Sequence, residues 1–133
     1  MASIHKDIPI DAPADQVWAA VRDFGAVHRR LAPGSVLDAR LDGEARIVTF
    51  ANGTAARELL VDCDEERRRL AYAVISERVK HYGASVQVLA DGGNRSRLIW
   101  IVDVLPNEIA LYIDGQMNQA ALAMQTALGR GGG

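Results

Sequence analysis

Cysteine is nearly absent from this chain. Among 133 residues there is one, Cys63, so no intramolecular disulfide can form and the paired-cysteine zinc motifs have no ligand set. Histidine is scarce as well. His5, His28 and His81 stand apart, with no partner at metal-ligand spacing, so neither a metal nor a cofactor is expected. Excess charge of either sign is missing too: 15 Lys+Arg against 17 Asp+Glu give a net charge of −2 and a pI near 5.9. That balance leaves no electrostatic footprint for nucleic acid. No apolar run reaches the roughly 18 residues of a membrane helix. The opening Met-Ala-Ser-Ile-His-Lys-Asp lacks the apolar stretch of a signal peptide. A cytoplasmic protein without membrane insertion is the expectation. Motifs for a Ser or Cys nucleophile, or for a phosphate-binding glycine loop, are also lacking. Asp91-Gly92-Gly93-Asn94 reads as a turn, because no helix follows it.

What is present is ordinary in amount and informative in order. Apolar residues make up 49% and charged residues 24%, a soluble composition with material for one core. Ser3 to Ile10 alternates, with Ile4, Lys6, Ile8 and Ile10 on one face; this is a strand, and Pro9 marks its end or an edge. Asp11-Ala12-Pro13 opens a helix, with Pro13 suited to its first position and Asp11 or Asp15 able to serve free N–H groups. Val17, Val21 and Phe24 share a stripe beside Trp18, and Gly25 ends the helix. A short helical turn is predicted over Ala26 to Leu31 before Pro33-Gly34.

Six strands are predicted next: Val36–Leu41, Ala45–Phe50, Ala55–Cys63, Leu70–Ser76, Tyr82–Ala90 and Arg95–Leu105. Turn chemistry at Asp42-Gly43, Asn52-Gly53, Asp64 to Arg67 and Asp91 to Asn94 separates most of them. Short strands at this spacing argue an antiparallel, strongly curved meander. Pro106-Asn107-Glu108 opens the last helix, with Asn107 as N-cap and Glu108 at the positive dipole end. Ile109, Ile113, Met117, Ala120, Met124 and Leu128 give it an apolar stripe in steps of three and four. Residues 1–128 are read as one domain, and Gly129 to Gly133 as a disordered glycine-rich tail.

This order of elements, with Ile10-Asp11-Ala12-Pro13, Val17-Trp18, Phe24, Pro33, Asn52-Gly53-Thr54, Arg57-Glu58-Leu59, Tyr72, Tyr82, Trp100 and Pro106, resembles the START-like (SRPBCC) superfamily. That is the helix-grip fold of Bet v 1-type and polyketide cyclase/dehydrase-type proteins. The resemblance implies an α+β fold in which a curved antiparallel seven-stranded sheet wraps a long C-terminal helix, with two short helices after the first strand. Phe50 to Val88 is also similar in part to the plant abscisic-acid receptors. It places a gate over Ala51 to Ala55 (Asn52, Gly53, Thr54), a latch over Ser76 to Tyr82, and pocket roles on Glu58, Tyr82 and Asn118. Glu77-Arg78-Val79 replaces that family's latch His-Arg-Leu, its gate Leu-Pro pair is missing, and its carboxylate-binding lysine falls near Ala32. A gated cavity is implied, without the device for an acidic hormone.

In such a fold one parity of each strand faces the helix. Alternation puts Glu58, Leu60, Tyr72, Val74, Tyr82, Ala84, Val86 and Val88 inward, and the resemblance adds Leu98, Trp100 and Val102. A mostly apolar face with a few polar groups is the make-up of a small-molecule pocket; the alternative is a filled core. Glu58 is either an inward carboxylate that binds a donor or moves a proton, or a surface carboxylate pairing with Arg57 or a cross-strand Arg. Tyr82 either orients a ligand oxygen or is a core tyrosine with its tip in water. His81 and His28 are placed near the mouth or in solvent, and Met117 lines the pocket or simply the core. Asn118 is a pocket candidate or an exposed amide.

The function expected is binding or carrying a small hydrophobic molecule (lipid, polyketide, aromatic or isoprenoid). Glu58, Tyr72, Tyr82, Trp100, Met117 and Asn118 would be the ligand-binding residues, with Asn52, Gly53, Thr54 and His81 at gate and mouth. A cyclase or aromatase-type enzyme using the same cavity is the alternative, with Glu58 and Tyr82 or His81 moving protons. A third reading is an interaction module, or a homodimer, joined through Ile99 and Ile101 if these face outward.

Overall fold

The structure is a computed structural model that describes residues 1–131. Strand β1 (Ala2–Ile10) leads to helix α1 (Ala14–Arg22), a 3-10 turn (Phe24–Ala26) and a π-type turn (Val27–Leu31). Strands β2 (Val36–Asp42), β3 (Ala45–Phe50), β4 (Ala55–Asp64), β5 (Arg69–Ile75), β6 (His81–Ala90) and β7 (Ser96–Leu105) follow. A 3-10 turn (Asn107–Ile109) then starts helix α2 (Ala110–Gly131). The seven strands form one antiparallel sheet in the order β1-β7-β6-β5-β4-β3-β2. This is the helix-grip fold: a curved sheet, short helices after β1, and α2 across the concave face.

The local reasons lie in the sequence. Gly43, at φ +61°, sits between paired Asp42 and Ala45, so the tight β2–β3 turn is Gly43-Glu44, one residue later than the dipeptide signal suggests. Gly53, at φ +87°, reverses the chain into β4, a conformation that a Cβ disfavours. The curl comes partly from two bulges. The register shifts between Val36 and Asp38 in β2 and between Leu60 and Asp62 in β4, which leaves Leu37 and Val61 exposed. An extra residue on one strand bends it and increases its twist.

The helix starts differ from expectation. Pro13 is the N-cap of α1 and not its first turn residue, and no side chain caps it. Its carbonyl accepts from the Gln16 and Val17 N–H groups, while Asp15 pairs with Arg68. Likewise Pro106, not Asn107, precedes the final helical segment. Helix α2 runs through Gly131, three residues past the expected end at Leu128; Gly132 and Gly133 lie outside the described residues.

Four contacts fix the layers. The Trp18 indole and the Arg22 guanidinium of α1 both donate to Glu65 in the β4–β5 turn, at 2.9 and 2.7 Å. Those two bonds hold the Glu65 carboxyl below its ordinary pKa. Lys6 of β1 pairs with Asp114 of α2, and Gln125 donates to the Pro9 carbonyl at 3.0 Å. The stripe Ile113, Met117, Ala120, Met124 and Leu128 is buried against the sheet. Ile99 and Ile101 face outward and are half-buried. No described helix is long and apolar enough to cross a membrane.

Leu98 lies at the centre of this core, fully buried between Ile8 and Val88 on the neighbouring strands. Leu98→Ala is expected to cost about 2–5 kcal/mol of stability, read from the urea midpoint by circular dichroism.

Candidate functional site: a cavity with a charge-balanced end

Between the concave sheet, the π-type turn and α2 lies a cavity of about 120 Å³. Its walls are mostly apolar: Val27, Leu31 and Ala32 from the turn, Val48, Leu70 and Val86 from the sheet, and Ile113, Met117, Ala120 and Met124 from α2. Strand alternation brings the sheet residues to one face, and the three-and-four spacing of α2 supplies the opposite wall.

Four polar or amphipathic side chains from the sheet gather with Glu58 in this wall: Arg46, Tyr72, Tyr82 and Trp100. Glu58 is buried and pairs with Arg46 directly across from it on β3, Nε to Oε1 at 2.7 Å. Arg46 also donates from Nη1 to the Phe24 carbonyl at 3.1 Å. Its guanidinium lies 4.0 Å from the Phe24 ring centre and 5.2 Å from that of Tyr72, so both charge and stacking hold it. The expected choice between an inward and a paired Glu58 resolves into both: it faces the cavity wall and is neutralised by a cross-strand arginine.

Burial pushes the Tyr72 hydroxyl far above the ordinary tyrosine range, and the Glu58 charge adds to this, against smaller opposing effects of Arg46 and the Trp100 indole. Tyr82 is shifted the same way by burial, then by Tyr72 and Glu58. Both phenols therefore stay protonated. Trp100 Nε1 is buried without a hydrogen bond of normal geometry.

At the mouth, Asn52 donates through Nδ2 to the Tyr112 hydroxyl at 2.9 Å, and Gln116 donates to the same oxygen at 3.0 Å. This clasp joins the β3–β4 loop to α2. Ala51 and Asn52 line the cavity. Gly53 and Thr54 do not; Thr54 holds the Asn52 amide oxygen through its N–H and its hydroxyl, at 3.1 and 2.7 Å. His81 is not in the wall either. It is exposed, and its ring lies over Gly83, because neighbours on a strand point to opposite faces and Tyr82 takes the inward one. Asn118 is also outside: exposed, one residue and thus about 100° beyond Met117 on the helix, it donates to Asp114 at 3.4 Å. Among the described residues, no three His, Cys, Asp or Glu side chains gather into a metal-binding group.

Arg46 is the residue that sequence reading missed. A signal was available: it shares parity with Val48 and Phe50 on β3, both of which line the cavity, and it sits across the hairpin from the suspected Glu58.

The family described as polyketide cyclase/dehydrase and lipid transport matches residues 1–130. The chain belongs to that family. No curated protein matches it. Its fold is shared with an uncharacterised Bacillus thuringiensis protein at 20% identity and TM-score 0.84, covering 96% of this chain and 98% of that one. A START superfamily protein from Mycobacterium smegmatis matches at 11% identity and TM-score 0.74, covering 98% and 96%. Norcoclaurine synthase from Thalictrum flavum, in complex with dopamine and hydroxybenzaldehyde, matches at 20% identity and TM-score 0.70, covering 97% and 84%. At these identities the likenesses concern the fold of this polyketide cyclase/dehydrase and lipid transport family member.

Two outcomes are expected of its polar wall. Arg46→Met leaves a buried unpaired carboxylate and costs about 3–5 kcal/mol, whereas Arg46→Met combined with Glu58→Leu recovers most of that loss; urea titration of the three proteins measures both. Unfolded tyrosines ionise near their ordinary value of 10.0 while Tyr72 and Tyr82 resist in the fold. The unfolded chain then binds fewer protons, so stability is full below that pH and falls as pH rises past it. Urea midpoints from about pH 9 to about pH 11 should show the fall, and a Tyr72→Phe/Tyr82→Phe variant should flatten it.

Proposed function

We propose that this protein binds a small, neutral, mainly apolar molecule inside the cavity between its sheet and α2. The observation that carries the reading is the combination of apolar walls with a polar end whose two charges already neutralise each other. Arg46 is occupied by Glu58 and the Phe24 carbonyl, so an anion would have to displace a buried partner to reach it. Ala32, near which the carboxylate-binding lysine of the similar hormone receptors falls, is part of the wall.

Size narrows the class. A dry apolar cavity on the order of 150 Å³ accepts benzene, and this one is about 120 Å³. As it stands it suits a single ring or a short branched chain. A lipid, isoprenoid or polyketide would require the Asn52–Tyr112–Gln116 clasp to part. The norcoclaurine synthase complex, with dopamine and hydroxybenzaldehyde, supports single-ring occupants for this fold. Glu58, Tyr72, Tyr82, Trp100 and Met117 are the proposed ligand-facing residues, with Asn52 at the gate.

The family description favours a second reading, a cyclase or aromatase-type enzyme. It stands below the first because Glu58, already holding Arg46, is poorly placed to accept a proton. Glu58→Gln separates the two: lost turnover with retained binding favours the enzyme.

The test is the mass by native electrospray of protein purified from its own host, before and after organic extraction. A discrete adduct of single-ring size, lost on extraction, is expected. A bare mass, with no retention of added single-ring compounds such as indole, would overturn the reading. Tyr112→Phe removes the clasp's shared oxygen. It is expected to speed dissociation of a cavity ligand by roughly tenfold while changing stability by no more than about 1 kcal/mol, as stopped-flow and urea titration would show.

A further inference from the structure

Trp100 stands at the middle of β7, paired to Lys6 on one side and Val86 on the other. Its ring is in the cavity wall and only 7% of the residue is exposed. Its Nε1 is buried, and no protein acceptor meets it with normal hydrogen-bond geometry; it makes only a weak, poorly aligned hydrogen bond toward the Tyr72 hydroxyl, which places it at the polar end. The contrast with Trp18 is informative. That residue is just as buried, yet its indole has a full partner in Glu65 at 2.9 Å. An indole N–H can only donate, and a buried donor without an acceptor is unfavourable. Burial of such a group in a native structure asks for an explanation.

The neighbouring groups limit what could satisfy it. Glu58, the strongest acceptor nearby, is committed to Arg46. Tyr72 and Tyr82 remain protonated, so each brings a donor of its own. Each phenol oxygen can also accept, but neither phenol nor the Glu58 carboxylate meets the indole N–H with normal hydrogen-bond geometry, so that donor is left to a ligand. We infer that Trp100 Nε1 is the orienting donor of the site, and that its ligand carries a neutral carbonyl oxygen that accepts this bond. The inference rests on the cavity-binding reading above and adds a chemical class and a specificity-determining residue to it. A ketone or aldehyde attached to a single ring fits the available volume. A hydrocarbon of the same shape fills the space and leaves the indole unmet.

The test uses the unaltered, ¹⁵N-labelled and Met-methyl-¹³C-labelled protein with two nearly isosteric probes, acetophenone and α-methylstyrene, which differ in C=O against C=CH₂. Shifts of the Met117 and Met124 methyl resonances report entry into the cavity. The two indole N–H resonances report the donors, with Trp18 as the internal reference. Both probes are expected to move the methyl signals. Only acetophenone should shift the Trp100 indole proton downfield, saturating with the methyl shifts, while Trp18 stays in place. Trp100→Phe alters the wall that both probes touch, and should weaken acetophenone roughly fivefold to tenfold more than α-methylstyrene. Methyl shifts with both probes and an indole that stays still, or responds equally to both, would overturn the role of Trp100 while leaving the cavity reading intact. Methyl signals that ignore both probes would overturn the two together.

Discussion

A carboxylate inside a small domain must be paired, protonated or absent, and Glu58 is paired. Its partner Arg46 comes from the adjacent strand, directly across the β3–β4 pairing. The same guanidinium reaches the Phe24 carbonyl and stacks over the Phe24 ring. One ion pair therefore ties the sheet to the turn that follows α1. It also sets the electrostatics of the cavity: two full charges are present and none is available. The elevated pKa values of Tyr72 and Tyr82 follow from the same setting, with burial first and the Glu58 charge reinforcing it.

The rest of the site depends on how α2 is held. Lys6 and Pro9 on the edge strand anchor the helix through Asp114 and Gln125, and the apolar stripe seals it against the sheet. Near the mouth, contact passes through one hydrogen-bonded oxygen, that of Tyr112. Asp114 fixes α2 between the clasp residues Tyr112 and Gln116, and Gln125 fixes it further along the helix. The volume of about 120 Å³ is that with the clasp made, and the walls from α2 include Met117 and Met124, whose thioethers adapt to what they touch.

Much of this was legible in the chain. Turn dipeptides and alternation gave six strands in order, and Pro9 marked β1, which is an edge strand. The inward parity placed Glu58, Tyr72, Tyr82 and Trp100 in the cavity wall, where the structure has them. Three things were not legible. Helix starts depended on backbone carbonyls rather than side-chain caps, and composition does not distinguish these. Asn118 and His81 sat next to true wall residues, and an informal resemblance does not register a rotation of 100° on a helix or 180° on a strand. Arg46 was overlooked because an arginine on a strand reads as surface until its partner across the sheet is known.

The central claim is that the polar end is neutral toward a ligand. It is tested most directly by calorimetric titration of acetophenone against benzoate, two compounds of one shape that differ in charge, near neutral pH. The account predicts that the ketone binds and the carboxylate does not. Tighter binding of benzoate would mean that Arg46 leaves Glu58 to hold an anion, and would contradict it.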